Sequence, residues 1–103
     1  MDITFDECYE PLAVEFQSEQ VRMLKAILDK YGVTGDVAKE ICGEFTFHLG
    51  VYFDQGEIEH EGTSYRPSIV FTDDEEKFIG QPMDVEYHEC AFETTSEIFD
   101  NKV

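Results

Sequence analysis

The amino-acid sequence predicts an α+β fold: two N-terminal helices packed on one face of a small antiparallel sheet of three to four strands. Two kinds of periodicity support this. Apolar residues recur at helical spacing through 18–31 and again through 36–54, whereas from residue 57 onwards they alternate and are broken by turn residues. Helices first and strands afterwards is the order of an α+β chain, not of repeated βαβ units. A third observation sets the scale. The chain has 103 residues, 42% of them hydrophobic, with nine Phe and five Tyr. That is one domain's worth of chain with enough apolar material for a core, so residues 1–103 read as a single folded domain despite their charge.

Residues 1–16 have two readings. Ile3 and Phe5 alternate with polar residues, and Leu12 to Phe16 suits a strand or the approach to a helix. Pro11 fits a turn or the first position of a helix. Residues 18–31 read clearly as helix: Ser18 is a good N-cap, Val21, Leu24, Ile27, Leu28 and Tyr31 share a face, and Gly32 is a natural stop. The next segment, 36–54, reads as a second helix capped by Asp36, with Val37, Ile41, Phe45, Leu49 and Phe53 in an i, i+4 row. Gly43 and Gly50 each cost a helix about 1 kcal/mol relative to Ala. In this reading they let another element approach closely. The alternative is a short helix followed by a long strand from Phe45 to Phe53.

Residues 57–72 read as a hairpin, with Gly62-Thr63 as a type II′ turn and Tyr65, Pro67, Ile69 and Phe71 on one face of the return strand. Pro67 places part of that strand on an edge. Asp73-Asp74-Glu75-Glu76 is a charged turn, Gly80-Gln81-Pro82 is a break, and Val85 to Phe92 reads as a further strand with a bulge near His88. Ile98 and Phe99 are apolar anchors for the tail. The expected core combines Leu24, Ile27 and Leu28 with Ile41, Phe45, Leu49 and Phe71.

The extreme property is charge: 24 acidic residues against 7 basic ones, a net of −17. Solubility asks for a magnitude of about 2 to 8 in a small domain. Eight acids and four bases lie in residues 1–39, a net of −4; sixteen acids and three bases lie in 40–103, a net of −13. General salt adaptation predicts a more even spread. The excess argues against direct binding to nucleic acid or an anionic membrane, both of which need clustered Lys and Arg. It favours a basic protein partner.

Cys8, Cys42 and Cys90 form no CxxC pair and read as free thiols of a reducing compartment. The acidic N-terminus does not resemble a signal peptide, and no apolar stretch approaches the roughly 18 residues of a membrane span, so a cytoplasmic location is expected.

No P-loop, GxSxG, HExxH or GxGxxG motif is present, so no catalytic role and no cofactor are expected. Glu86, His88 and Cys90 would share one face if 85–92 were a strand and could then, with His60, attract a metal or support an enzyme site. In so acidic a chain that spacing arises easily by chance. The acidic clusters carry more weight. Glu57, Glu59 and Glu61 alternate along the predicted strand, at intervals of about 7 Å. This is close to the phosphate spacing of a nucleic-acid strand. Asp54 precedes this row. Asp73, Asp74, Glu75 and Glu76 lie past the partner strand, and Tyr65 adds an aromatic contact. The expected function is therefore an acidic protein-binding domain, an inhibitor or immunity-type protein that neutralises a basic nucleic-acid-binding protein or nuclease. The alternative is a structural or regulatory domain using an apolar or aromatic patch.

Overall fold

The computed structural model describes residues 2–82 and 85–100. In chain order these form β1 (Ile3–Thr4), α1 (Tyr9–Lys30), α2 (Gly35–Gln55), β2 (Ile58–His60), β3 (Thr63–Tyr65), β4 (Val70–Thr72), β5 (Phe78–Gly80), a 3₁₀ turn (Tyr87–Cys90) and α3 (Ala91–Phe99). The expected α+β class with two N-terminal helices is observed. The helices pack mainly on one another, α1 against α2 and α3 against both.

Helix α1 begins at Tyr9, nine residues before the expected Ser18 cap. Pro11 is its third residue, where a backbone N–H would have no intrahelical acceptor. The inward row is Tyr9, Ala13, Gln17 and Val21. Gln17 interrupts the apolar pattern, which hid the first two turns. Its buried amide bonds across the fold on one side only, donating from Nε2 to the Tyr87 carbonyl at 3.1 Å while Oε1 has no partner. The C-terminus follows expectation. Gly32 takes φ +81°. Its N–H donates to Asp29 O at 3.0 Å and that of Val33 to Leu28 O at 2.8 Å, the paired bonds of a Schellman stop.

Helix α2 runs unbroken across Gly43 and Gly50, so the strand alternative for 45–53 does not form. It starts at Gly35 after Thr34, with Asp36 in its first turn instead of at the cap. The buried row is Ala38, Cys42, Thr46 and Gly50, joined by Gly43. The expected core is corrected accordingly: Ile27, Ile41 and Phe45 are exposed, and Leu24, Leu28, Leu49 and Phe71 are half-buried. Small side chains win the inward position because they let backbones approach. A Cβ added to Gly43 would meet the Phe92 ring at 3.0 Å, and one on Gly50 would meet the His88 Cα at 2.7 Å.

The strands form two sheets, one of order β1-β5-β4 and the other the β2-β3 ribbon. The first is mixed: β1 runs parallel to β5, with Ile3 opposite Phe78, and β4 runs antiparallel to it, with Phe71 opposite Ile79. The single hairpin expected over 57–72 is therefore split. Its return strand ends at Tyr65, and after Pro67 the chain joins the other sheet at Val70. The ribbon's tight turn is Glu61-Gly62, since His60 pairs with Thr63. Both turn residues have positive φ, 49° and 82°, the type I′ pattern in place of the expected II′ at Gly62-Thr63. Ile69 and Ile79 are the strand-region residues that reach the core, against Tyr9, Ala13 and Tyr87.

The strand expected over 85–92 does not form. Glu86 is extended, Tyr87–Cys90 is a 3₁₀ turn, and α3 follows directly. Alternating apolar residues here serve a helical segment that lies across α2. Ile98 and Phe99 are half-buried, as expected of anchors, and Lys25 sits over the Phe99 ring at 4.8 Å.

Candidate functional site

The acidic residues singled out by sequence separate into one inward carboxylate and two outward groups. Glu57 and Glu59 lie on one face of the β2-β3 ribbon. Ile58 and Tyr65 are directly opposed and so share the other face, 46% and 54% exposed. Glu61 leaves the strand row, because it is the first residue of the turn. Asp73, Asp74, Glu75 and Glu76 form the exposed β4–β5 connection, on the other sheet. That turn is ordered by its own acid: Asp73 Oδ1 accepts from the backbone N–H of Glu75 at 3.0 Å and of Lys77 at 2.9 Å, and Glu76 takes φ 60°.

These carboxylates stand largely uncompensated. Among the described residues the ion pairs made by Lys and Arg are Arg22–Glu19, Lys39–Asp100 and Lys77–Asp6, none of which involves either group. Glu61 has His60 Nε2 at 3.9 Å, both side chains well exposed.

Asp54 is different. It lies in the last turn of α2 with a side chain only 5% exposed, so it is not available to a partner. All four acceptor directions of its carboxylate are filled. Oδ1 accepts from Gln81 Nε2 at 2.6 Å and from the Tyr87 N–H at 2.8 Å. Oδ2 accepts from the His88 N–H at 2.9 Å and contacts His88 Nδ1 at 2.5 Å. Burial acts to raise its pKa, but these hydrogen bonds outweigh burial and hold the carboxyl below its ordinary value. Its charge also adds to burial in pushing the neighbouring Tyr9 phenol up to about 12. Asp54 thus supplies from a distance what the 3₁₀ turn lacks locally, an acceptor for its first free N–H groups.

The strand-face cluster of Glu86, His88 and Cys90 does not assemble as the sequence suggested, because the segment is helical. The structure instead brings Asp54, Glu86 and His88 together, ligand atoms within 4.8 Å. His88 lies between two carboxylates, with Nε2 3.4 Å from Glu86 Oε2. With Asp54 saturated by N–H donors, a cation would find only Glu86 and one ring nitrogen. Those are fewer protein ligands than the three of a catalytic zinc. His60, on the exposed ribbon, is not part of this group. Burial, with Glu93, Glu10, Glu89 and Glu97 around it, pushes the Cys90 thiol up, away from the reactive thiolate.

Sequence reasoning grouped Asp54 with the outward acids because it lies just before Glu57. Its true partner segment is 33 residues downstream, and no local signal marks it. No helix of the described residues is long and apolar enough to cross a membrane. Comparison with protein-family models, with curated proteins and with solved structures found no match.

Proposed function

We propose that this domain is a non-catalytic, acidic protein-binding module of the inhibitor or immunity type. It neutralises a basic partner, a nucleic-acid-binding protein or nuclease, by placing carboxylates where that partner holds phosphates. The observation that carries the reading is the exposure of Glu57, Glu59, Glu61, Asp73, Asp74, Glu75 and Glu76, with no Lys or Arg pairing them among the described residues, on a chain of net −17. Unpaired like charge raises the cost of folding, and a basic partner offsets that cost on binding. Tyr65, expected to add an aromatic contact, shares the opposite face of the ribbon with Ile58 and stays outside the carboxylate row.

The test begins with capture of binding proteins from the host at low salt. It continues with association kinetics of the captured basic protein against wild type and a Glu57→Lys/Glu59→Lys variant. The expected result is an on-rate at least about tenfold slower for the variant, and one that falls steeply with salt for the wild type. Equal on-rates without salt dependence would remove this reading.

A second reading, a structural or regulatory domain bound through an apolar surface, is favoured by one observation. Met23, Ile27, Val37, Ile41 and Phe45 on the two long helices are 38–59% exposed.

A further inference from the structure

The rows turned into the helical core are Gln17-Val21 with the half-buried Leu24 and Leu28 on α1, and Ala38-Cys42-Thr46 on α2. The exposed apolar residues precede these by one position in each helix: Met23 and Ile27 before Leu24 and Leu28, and Val37, Ile41 and Phe45 before Ala38, Cys42 and Thr46. One residue is about 100° around a helix axis. In two antiparallel helices packed face to face, the same offset turns both rows to the same side of the hairpin. The residue after Cys42 is Gly43, which packs on Phe92 of α3, so α3 occupies the opposite side. The hairpin thus has one side covered by α3 and one side bare.

The bare side is large, and its apolar residues outnumber the charged ones that share it: at about 100° per residue Glu44 falls in line with Val37 and Lys30 in line with Met23. Tyr31, 73% exposed, and Tyr52, 41% exposed, extend it at its two ends. At roughly 200 Å² for a side chain of this size, these seven residues expose on the order of 700 Å². That exceeds the roughly 300–600 Å² of the largest apolar patch on a typical monomer and approaches the about 800 Å² per partner of a standard interface. The whole chain shows the same excess. It exposes 7403 Å², whereas a folded monomer of its 11.9 kDa exposes about 6,000 Å². Its radius of gyration is 15.4 Å, against about 13 Å for a compact domain of this length.

We infer that this face is covered by a second copy of the chain, giving a two-fold dimer in which two α1–α2 hairpins form a four-helix bundle. A pair of antiparallel helices is self-complementary about a two-fold axis. The exposed area matches what such a contact needs. The seven exposed side chains offer apolar contact area in place of charge, which a second copy of the same face matches better than a basic surface does. The dimer is independent of the acidic hairpins, and salt separates the two. Bringing two chains of net −17 together is opposed by repulsion, so screening tightens the dimer while it weakens a complex with a basic protein.

Sedimentation equilibrium of the full chain tests this, at up to about 100 µM protein, above the weakest affinities of interfaces this size. It should be run in about 0.1 M and about 1 M monovalent salt, where the Debye length falls from about 10 to about 3 Å. The expected mass is twice 11.9 kDa, with a dissociation constant several-fold lower at high salt. An Ile27→Gln/Phe45→Gln variant replaces half-exposed residues with a helix-compatible polar one, and its circular dichroism and urea midpoint report folding separately. It should weaken the dimer by about 100-fold or more. A wild type that stays monomeric in both salts would overturn the inference. So would a dimer that persists unchanged in the folded variant, because it would then use another face.

Discussion

Asp54 shows how much one side chain can organise. Its carboxylate ties the end of α2 to Gln81 and to the first amides of the 3₁₀ turn, and through His88 it orients a ring that also faces Glu86. Asp54→Ala would leave several inward N–H groups without an acceptor. The expected cost is about 3–5 kcal/mol, read as a lowered urea midpoint. A carboxyl depressed in the folded state stabilises fully above its unfolded pKa of about 3.9. That contribution is lost as pH falls through the lower folded value. The gap between wild type and Asp54→Ala should therefore be constant near neutral pH and narrow below about pH 4. A gap that stays constant down to pH 2 would show that the charge of Asp54 contributes nothing. Thr46 is a smaller case of the same logic. Its side chain is fully buried and its hydroxyl has no partner, whereas Thr95 satisfies its own hydroxyl on the Ala91 carbonyl at 2.7 Å. Thr46→Val keeps the shape and removes the unpaired group, so it should stabilise the fold by about 1 kcal/mol in the same melt.

At the scale of elements, the contact of α2 with the 3₁₀ turn and α3 depends on absent side chains. Alanine is the better helix former by about 1 kcal/mol, yet at Gly50 its Cβ would press on the His88 backbone at 2.7 Å. Backbone cannot rotate away as a side chain can, so overpacking, at about 1–3 kcal/mol, should exceed the propensity gain. Gly50→Ala is expected to lower the urea midpoint and to perturb the surroundings of His88, visible in its ring resonances. A midpoint equal to wild type would mean that α2 and the 3₁₀ turn sit farther apart. Ile27 gives the converse expectation. At 54% exposure, Ile27→Ala should cost under about 1 kcal/mol when measured on the monomer, whereas a core isoleucine would cost about 2–5.

For the whole molecule, the dominant fact is a net charge of −17 with few internal ion pairs among the described residues. Self-repulsion works against the compact state, and screening relieves it. Adding monovalent salt should raise the melting temperature; chloride salts of different alkali cations should act alike, since screening depends on ionic strength. A flat or falling melting temperature would show that the acids are dispersed enough not to oppose folding. Acids are spread over helices and hairpins alike, but the densest acidic runs and the apolar side lie on different elements. The acidic runs 57–61 and 73–76 project from the β hairpins, and the bare apolar side belongs to α1 and α2, whose own exposed acids include Glu19, Glu40 and Glu44. One fold thereby presents two surfaces of opposite chemistry, with opposite expected responses to salt.

Local chemistry made several elements legible without any structure. The Gly32 stop, the continuous run of α2 and the close approach at its glycines follow from residues within a turn or two of each other. The acidity of the hairpins is a property of composition. What sequence could not decide was which of two adjacent apolar rows turns inward. Val37-Ile41-Phe45 and Ala38-Cys42-Thr46 are both consistent with a helix, and periodicity favours the larger side chains. Only the packed structure selects the smaller row, because close backbone approach of α3 and the 3₁₀ turn requires small residues in between. The same holds for 85–92, which alternates like a strand yet becomes helical. Its N-terminal amides are satisfied by Asp54, more than thirty residues away. A hydrogen-bond acceptor supplied by tertiary contact leaves no trace in the local pattern, so sequence determined the periodic elements and the charge, and the fold decided which faces are buried and which carboxylate turns in.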